Sequence, residues 1–201
     1  MVELQRRSPE PPELVVYREN HPGDPVIVFE SQEFHALKIE IKAKLNEDQG
    51  GLCAYCEQKL PPNEGQVEHV LPKRGANGRP DLALHYDNWV HGCIHPKHCG
   101  QKKADNLLPI EPAPGCNDHF ILLDDGSINP VAGLTFAQEL PVIMSLDILG
   151  QNHPVLKQDR SKWVATIKII ITNSPENLDG FLTDKPFRHI LKTYARTEVH
   201  P

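Results

Sequence analysis

Apolar side chains recur at helical spacing between Ser31 and Gln49. Those that lie three or four residues apart on one face are Phe34, Leu37, Ile41 and Leu45. Such spacing is typical of an amphipathic helix. Ser31 can accept hydrogen bonds at its start, and Gly50-Gly51 can end it. The pattern therefore predicts a helix that delivers the chain to the centre of the sequence.

The C-terminal half predicts further helices. One runs from Asn152 to Thr172, with Pro154 in its first turn; its apolar face holds Leu156, Trp163, Ile167 and Ile170. Another runs from Pro186 to about Ala195. Residues 134–149 are apolar, but their spacing does not separate helix from strand. Both alternatives stay open for that stretch.

Shorter elements are expected elsewhere. A tight turn at Cys53–Cys56 precedes a β-hairpin that ends by Pro72 and includes a strand from Gln66 to Leu71. A short helix is expected between Lys97 and Leu107. Asp125-Gly126 is a typical turn of a second hairpin.

The first 30 residues are rich in proline, namely Pro9, Pro11, Pro12, Pro22 and Pro25. Because proline disrupts a helix interior, we expect no helix here and allow a short strand at Val26–Phe29. Composition leaves two interpretations open: a packing arm or disordered tail, or an arm that docks a partner.

Composition adds limits to this picture. The 201 residues are 39% hydrophobic and 24% charged, which is typical of a globular protein. No apolar run reaches the roughly 18 residues of a membrane-spanning helix, and no secretory signal follows the first arginines. The five cysteines form an odd count, which favours metal binding over disulfides and a cytoplasmic location.

The net charge of −6 argues against indiscriminate nucleic-acid binding over the whole surface. The charge is uneven, because residues 53–105 carry seven Lys or Arg against six Asp or Glu. A polyanion therefore fits the central segment, whereas the acidic flanks are suited to face protein.

Two cysteine pairs in the central segment predict a zinc site. Cys53 and Cys56 have the spacing of a zinc knuckle, and Cys93 and Cys99 can complete four thiolate ligands. Because the second pair is widely spaced, His95 and His98 are rival ligands. Four protein ligands leave no open position, so a structural role is expected.

Glu68-His69 and Asn88 lie between the cysteine pairs. Phosphodiester cleavage needs a cation, which a carboxylate can hold, and a base, which an imidazole can supply. By itself the Glu-His pair is more typical of a protein surface, and Asn88 of a turn. Trp89 is interpreted as core rather than as a stacking platform.

Taken together, Cys-x-x-Cys-Glu, Glu-His-x-x-Pro-Lys, Asp-Asn-Trp and Cys-Gly-x-Lys-Lys-x-Asp resemble the HNH endonucleases. The closest resemblance is to the PtuB-type HNH nucleases of Septu and retron-associated anti-phage systems, and it covers nearly the whole chain. It implies an α+β fold with a ββα-metal core and a zinc knuckle at residues 51–110. A proline-rich arm and leading helix (1–50) and a mainly helical extension (111–201) flank that core.

The resemblance also implies roles. His69 matches the general base, Glu68 an acidic ligand of Mg²⁺ or Mn²⁺, and Asn88 the asparagine that positions the loop and the base. The expected substrate is nucleic acid, DNA in preference to RNA, and the expected partner is an ATPase. The residues expected to contact nucleic acid are Lys73, Arg74, Lys102 and Lys103.

One position departs from the family pattern. Gly100 stands where an asparagine or histidine commonly supplies a second metal ligand, and His98 is the expected substitute. Lys102 and Lys103 are equally compatible with a solvated helix face. The alternative function is a catalytically weak or inactive, zinc-stabilised module that binds nucleic acid or protein. A disulfide-stapled extracellular protein is disfavoured.

Overall fold

A computed structural model describes residues 1–199 of the chain. The helices are α1 (Pro12–Asn20), α2 (Pro25–Glu30), α3 (Phe34–Asp48), α4 (Cys99–Lys103), α5 (Phe136–Leu149), α6 (Pro154–Asn173), α7 (Leu178–Leu182) and α8 (Arg188–Val199). The strands are β1 (Gln66–His69), β2 (Trp89–Gly92), β3 (Phe120–Leu122) and β4 (Ile128–Pro130). The fold therefore mixes α and β structure, as predicted. Within the described residues, no helix has the length and apolar character needed to cross a membrane.

The proline-rich N-terminal segment is helical, so the predicted strand at Val26–Phe29 is wrong. Pro12 and Pro25 occupy the first turns of α1 and α2, where a missing N–H costs no hydrogen bond. Asp24 caps α2 by accepting from the N–H of Val26 at 2.8 Å. Buried Leu14, Val26 and Phe29 show that this segment packs against the rest of the protein.

The predicted leading helix is confirmed as α3. Its buried face packs with α1, α2 and the start of β2 in one apolar cluster made of Leu14, Phe29, Phe34, Ile41, Leu45, Leu84, Tyr86 and Trp89. A second cluster joins the residues around the cysteines to α5, α6 and α8 and also takes in Met1, Val2 and Leu4. The division at residues 50 and 110 stays a prediction.

The central strand has a different partner from the one expected. β1 ends at His69 and pairs antiparallel with β2, with Glu68 opposite Val90 and His69 opposite Trp89. No hairpin closes within residues 52–72; an isolated antiparallel bridge joins Leu52 and Lys59 there. The loop between β1 and β2 holds short 3₁₀ turns at Pro80–Leu82 and Tyr86–Asn88.

The C-terminal half largely follows the sequence pattern. β3 and β4 form the predicted hairpin, and α6 and α8 confirm the two predicted helices, α8 beginning at Arg188 rather than Pro186. Residues 136–149 form helix α5, which ends at Gly150 in the left-handed conformation. The short helix predicted after Lys97 is confirmed as α4.

Candidate active site and metal centre

The four cysteines of the two pairs converge on one point. The Sγ atoms of Cys53 and Cys99 are 3.8 Å apart, and those of Cys56 and Cys93 are 3.9 Å apart. All four lie within 4.8 Å of one another. A tetrahedral zinc with bonds of about 2.3 Å requires Sγ separations of about 3.8 Å. The donor set therefore fits one tetrahedral metal ion.

The rival histidines lie beside this cluster. His98 Nδ1 is 3.1 Å from the Sγ of Cys99 and 3.9 Å from that of Cys93. Its ring stacks on His95 with 3.8 Å between centroids, and burial lowers its pKa to about 4. Because four thiols already converge, neither histidine is needed to complete the tetrahedron. The role of His98 as a ligand of a second metal stays a prediction.

Glu68 and His69 line the same cavity, about 400 Å³ in volume, between β1 and helices α2 and α3. Successive residues of a strand point to opposite faces. All four residues of β1, Gln66 to His69, nevertheless line this cavity, together with Lys73 beyond the end of the strand. Glu68 and His69 thus border one space.

The carboxylate of Glu68 rests on two glycines. A Cβ added at Gly100 would overlap that carboxylate, and one added at Gly92 would lie 2.9 Å from the Cγ of Glu68. Gln66 donates to the carboxylate from the same strand. Burial raises the pKa of Glu68, and the charge of Lys103 opposes the increase. The side chain of Glu68 therefore occupies the space that a side chain at position 100 would need.

His69 is held by aromatic rings and two polar contacts. Its Nε2 lies 3.0 Å from the carbonyl oxygen of Ala83 and 3.1 Å from Nε1 of Trp89, and its ring meets the Phe29 ring edge-on at 4.5 Å. Burial lowers the pKa of His69 to about 4, so the imidazole is neutral at neutral pH. With its proton on Nε2, His69 donates to the carbonyl oxygen of Ala83, which also accepts from Nε1 of Trp89 at 3.1 Å. Nδ1 is then able to accept a proton.

Asn88 ties the chain after β1 to the loop before β2. Its Oδ1 accepts from the N–H of Leu71 at 2.8 Å, and its Nδ2 donates to the carbonyls of Leu71 at 3.0 Å and Leu82 at 3.3 Å. Leu82 immediately precedes Ala83, which contacts His69. Asn88 therefore fixes the backbone next to the residue that His69 contacts.

The four residues that were predicted to contact nucleic acid lie in different environments. Lys73 lines the Glu68–His69 cavity, and exposed Arg74 bonds to Glu30 at 2.8 Å. Lys102 lies in a separate cavity of about 660 Å³, where it contacts the carbonyl of Asp147. Lys103 is only 1% exposed and donates to the carbonyl of His69 at 3.1 Å. Burial lowers the pKa of Lys103.

Three basic residues of the cavity were missed from the sequence. His35, Lys38 and Lys42 project from α3 toward Glu68 and His69. Their spacing of three and four residues places them on one helix face, beside the apolar face. That periodicity is visible in the sequence.

Comparison with known proteins agrees with this geometry. No family model matches the chain. The chain is 37% identical over 173 residues to a protein of Vibrio cholerae serotype O1 biovar El Tor named "Retron Vc95 putative HNH endonuclease". The match covers 82% of this chain and 84% of that relative. The chain therefore belongs to the HNH endonuclease family.

Proposed function

We propose that the chain is a metal-dependent endonuclease that hydrolyses phosphodiester bonds of nucleic acid, DNA in preference to RNA. The observation that carries the proposal is the shared cavity of Glu68 and His69, with His69 neutral and bonded to the carbonyl of Ala83, which Trp89 also contacts. β1, β2 and α4 act as the ββα-metal core, and Asn88 fixes the loop behind the base.

In this mechanism His69 takes a proton from the attacking water. The water oxygen forms a new bond to phosphorus while a bond from phosphorus to a sugar oxygen breaks. Mg²⁺ or Mn²⁺, when bound, supplies positive charge for the phosphate and the leaving oxygen. Glu68 is the carboxylate that would hold this ion. Mg²⁺ commonly uses one or two carboxylates together with water and substrate phosphates, so Gly100 does not preclude binding, and His98 is the candidate second ligand.

The four cysteines hold a structural zinc in this proposal. Thiolates suit Zn²⁺, and four of them leave no position for substrate. The ion would connect the turn before β1 to the start of α4, two segments with few apolar side chains of their own.

The test is cleavage of labelled DNA and RNA with Mg²⁺ or Mn²⁺. His69→Ala should reduce the cleavage rate by about 10²- to 10⁴-fold, because a general base contributes that much. His21→Ala, on the far side of α1, is the control and should cleave normally. Zinc content should be equal in all three proteins. Full activity in His69→Ala would remove His69 from the role of base.

A second candidate is a zinc-stabilised binding module without catalysis. Among residues 1–199, the four cysteines are the one group of three or more His, Cys, Asp or Glu ligands that converges. A Mn²⁺ titration of the zinc-loaded protein distinguishes the two functions. Binding that is lost in Glu68→Gln supports the nuclease, and absence of a second ion supports the binding module.

We further propose that the nuclease is the effector of an anti-phage defence system and acts with an ATPase partner. The resemblance to Septu and retron-associated nucleases and the retron name of the Vibrio relative support this proposal. The test is co-purification with the product of a neighbouring ATPase gene, followed by phage challenge of cells that carry both genes. His69→Ala should remove protection while leaving the complex intact.

A further inference from the structure

Two lysines flank one aromatic ring beside the proposed base. The Nζ of Lys38 lies 3.9 Å from the centroid of the Phe29 ring, and that of Lys73 lies 5.2 Å from it. The His69 ring meets the same Phe29 ring at 4.5 Å. Helix α3 and the segment after β1 therefore bring two cations to the place where His69 borders the cavity.

Lys38 and Lys42 are not paired with a carboxylate. Among the side chains that the structure describes, those of residues 1–197, neither lysine has a carboxylate within 4.0 Å; they donate instead to the carbonyls of Phe29 at 2.7 Å and Gly65 at 3.4 Å. Lys73 lies 3.6 Å from Glu30, which also pairs with Arg74. Burial and then the charge of Lys73 lower the pKa of Lys38. An anion between the two lysines would relieve their repulsion.

We propose that Lys38 and Lys73 bind a phosphate of the nucleic-acid backbone above Phe29, and that Lys42 and His35 extend this contact along α3. The inference deepens the proposed nuclease function and rests on it. The chain as a whole carries a charge of −6 and repels nucleic acid. A local concentration of cations such as this one can hold the backbone next to His69 despite the net charge.

The shape of the cavity also suits a sugar-phosphate chain. Lys38 and Lys42 lie four residues apart on one helix face, about 6 Å along the axis, so they can contact successive positions of a strand. Ile39 borders the same cavity and is 55% exposed, which offers an apolar contact to a sugar. Lysine recognises phosphate as a point charge, so sequence-independent contact is expected.

The experiment measures binding of labelled DNA duplex, single-stranded DNA and RNA by fluorescence anisotropy at several salt concentrations. The protein carries His69→Ala, so that the probe stays intact. The double variant Lys38→Gln/Lys42→Gln should lose about tenfold or more in affinity, and the slope of log affinity against log salt should fall by about 2, one for each lost phosphate contact. Lys38→Arg should retain affinity.

Lys44→Gln is the matched control. Lys44 lies on the same helix but pairs with Glu13 of α1 at 3.1 Å, outside the cavity. The Lys44→Gln substitution removes one charge and should leave both the affinity and the salt slope near those of the parent protein. Thermal denaturation should show that all variants are folded.

The outcomes separate this inference from the nuclease function. If the lysine variants bind DNA like the parent protein, and cleave it like wild type once His69 is restored, the phosphate site is wrong while the nuclease function stands. If they bind DNA normally but no longer associate with the ATPase partner, the cavity is a protein-docking surface and the inference is overturned. If wild type neither binds nor cuts any probe, both proposals fail.

Discussion

The four-cysteine cluster and the carboxylate of Glu68 both lie against the first turn of α4, but adjacent residues there face different regions. Cys99 faces the other three thiols, whereas Gly100 lies against the carboxylate of Glu68. The thiols are directed at one another, whereas Glu68 and His69 border an open cavity with lysines. The first region is suited to hold the chain in place, and the second to receive a substrate. A substitution in one region should therefore leave the other region unchanged.

The largest effect is expected at the metal centre. Cys99→Ser removes a thiolate, and structural zinc contributes on the order of 10 kcal/mol to small metal-bound units. The free energy of unfolding should fall by several kcal/mol, measured by denaturant titration with zinc quantified in parallel. Cys116→Ser is the control, because Cys116 is buried but lies outside the cluster. A stable, zinc-loaded Cys99→Ser protein would show that the cluster is not structural.

The next effect is expected at Gly100. The backbone there has an ordinary φ, but an alanine Cβ would displace the Glu68 carboxylate. Gly100→Ala should therefore lower the cleavage rate by about 10²-fold, since misplacement of a catalytic group by 1 Å can cost that much. Gly180→Ala, which has open space around it, should have no effect. Unchanged cleavage and Mn²⁺ affinity in Gly100→Ala would show that Glu68 does not need its present position.

A smaller effect is expected from Lys103, which supports the backbone of His69 and lowers the pKa of Glu68. Lys103→Met should weaken Mn²⁺ binding and cleavage by about tenfold, as is typical when a group behind a metal ligand is lost. Lys102→Met is the matched control on the same helix, because Lys102 lies in the other cavity. Equal effects of the two substitutions would show that Lys103 contributes only positive charge, as a surface lysine does.

The smallest effect is a displacement of the pH profile. His69 loses its function as a base only when protonated, and its pKa of about 4 lies below the usual 6.5. The carboxylate of Glu68 is protonated more easily than usual because burial raises its pKa. The acid limb of kcat/KM should thus lie below pH 6.5 and move lower as Mn²⁺ increases, since the ion competes with protons on Glu68. An acid limb at pH 6.5 that does not depend on the Mn²⁺ concentration would contradict this assignment.

The sequence predicted which side chains carry the chemistry better than it predicted what surrounds them in the fold. The spacing of Cys53 and Cys56 and the preference of Zn²⁺ for thiolates predicted the four-cysteine cluster, although the wide spacing of Cys93 and Cys99 left His95 and His98 as rival ligands. Spacing did not reveal that Lys103 faces inward while Lys102 faces another cavity. The orientation of α4 depends on its packing against β1 and α5, which a single sequence does not encode locally.

The N-terminal segment shows a second limit. Proline is expected to break helices, but Pro12 and Pro25 stand in the first turns of α1 and α2, and Asp24 caps α2. Once α2 and α3 form, Phe29 and Lys38 reach His69, far away in sequence. Such contacts arise from tertiary packing, so they were beyond prediction from local pattern.

The ring of Phe29 supports His69 from outside the motif that defines the family. A fragment cut to the segment between the first and last cysteine would keep every proposed ligand and the base, yet lose this support and the lysines of α3. Transplanting that fragment into another protein should therefore transfer zinc binding without transferring nuclease activity. A transferable unit that keeps the Phe29 contact with His69 would have to begin with α2, before the motif itself.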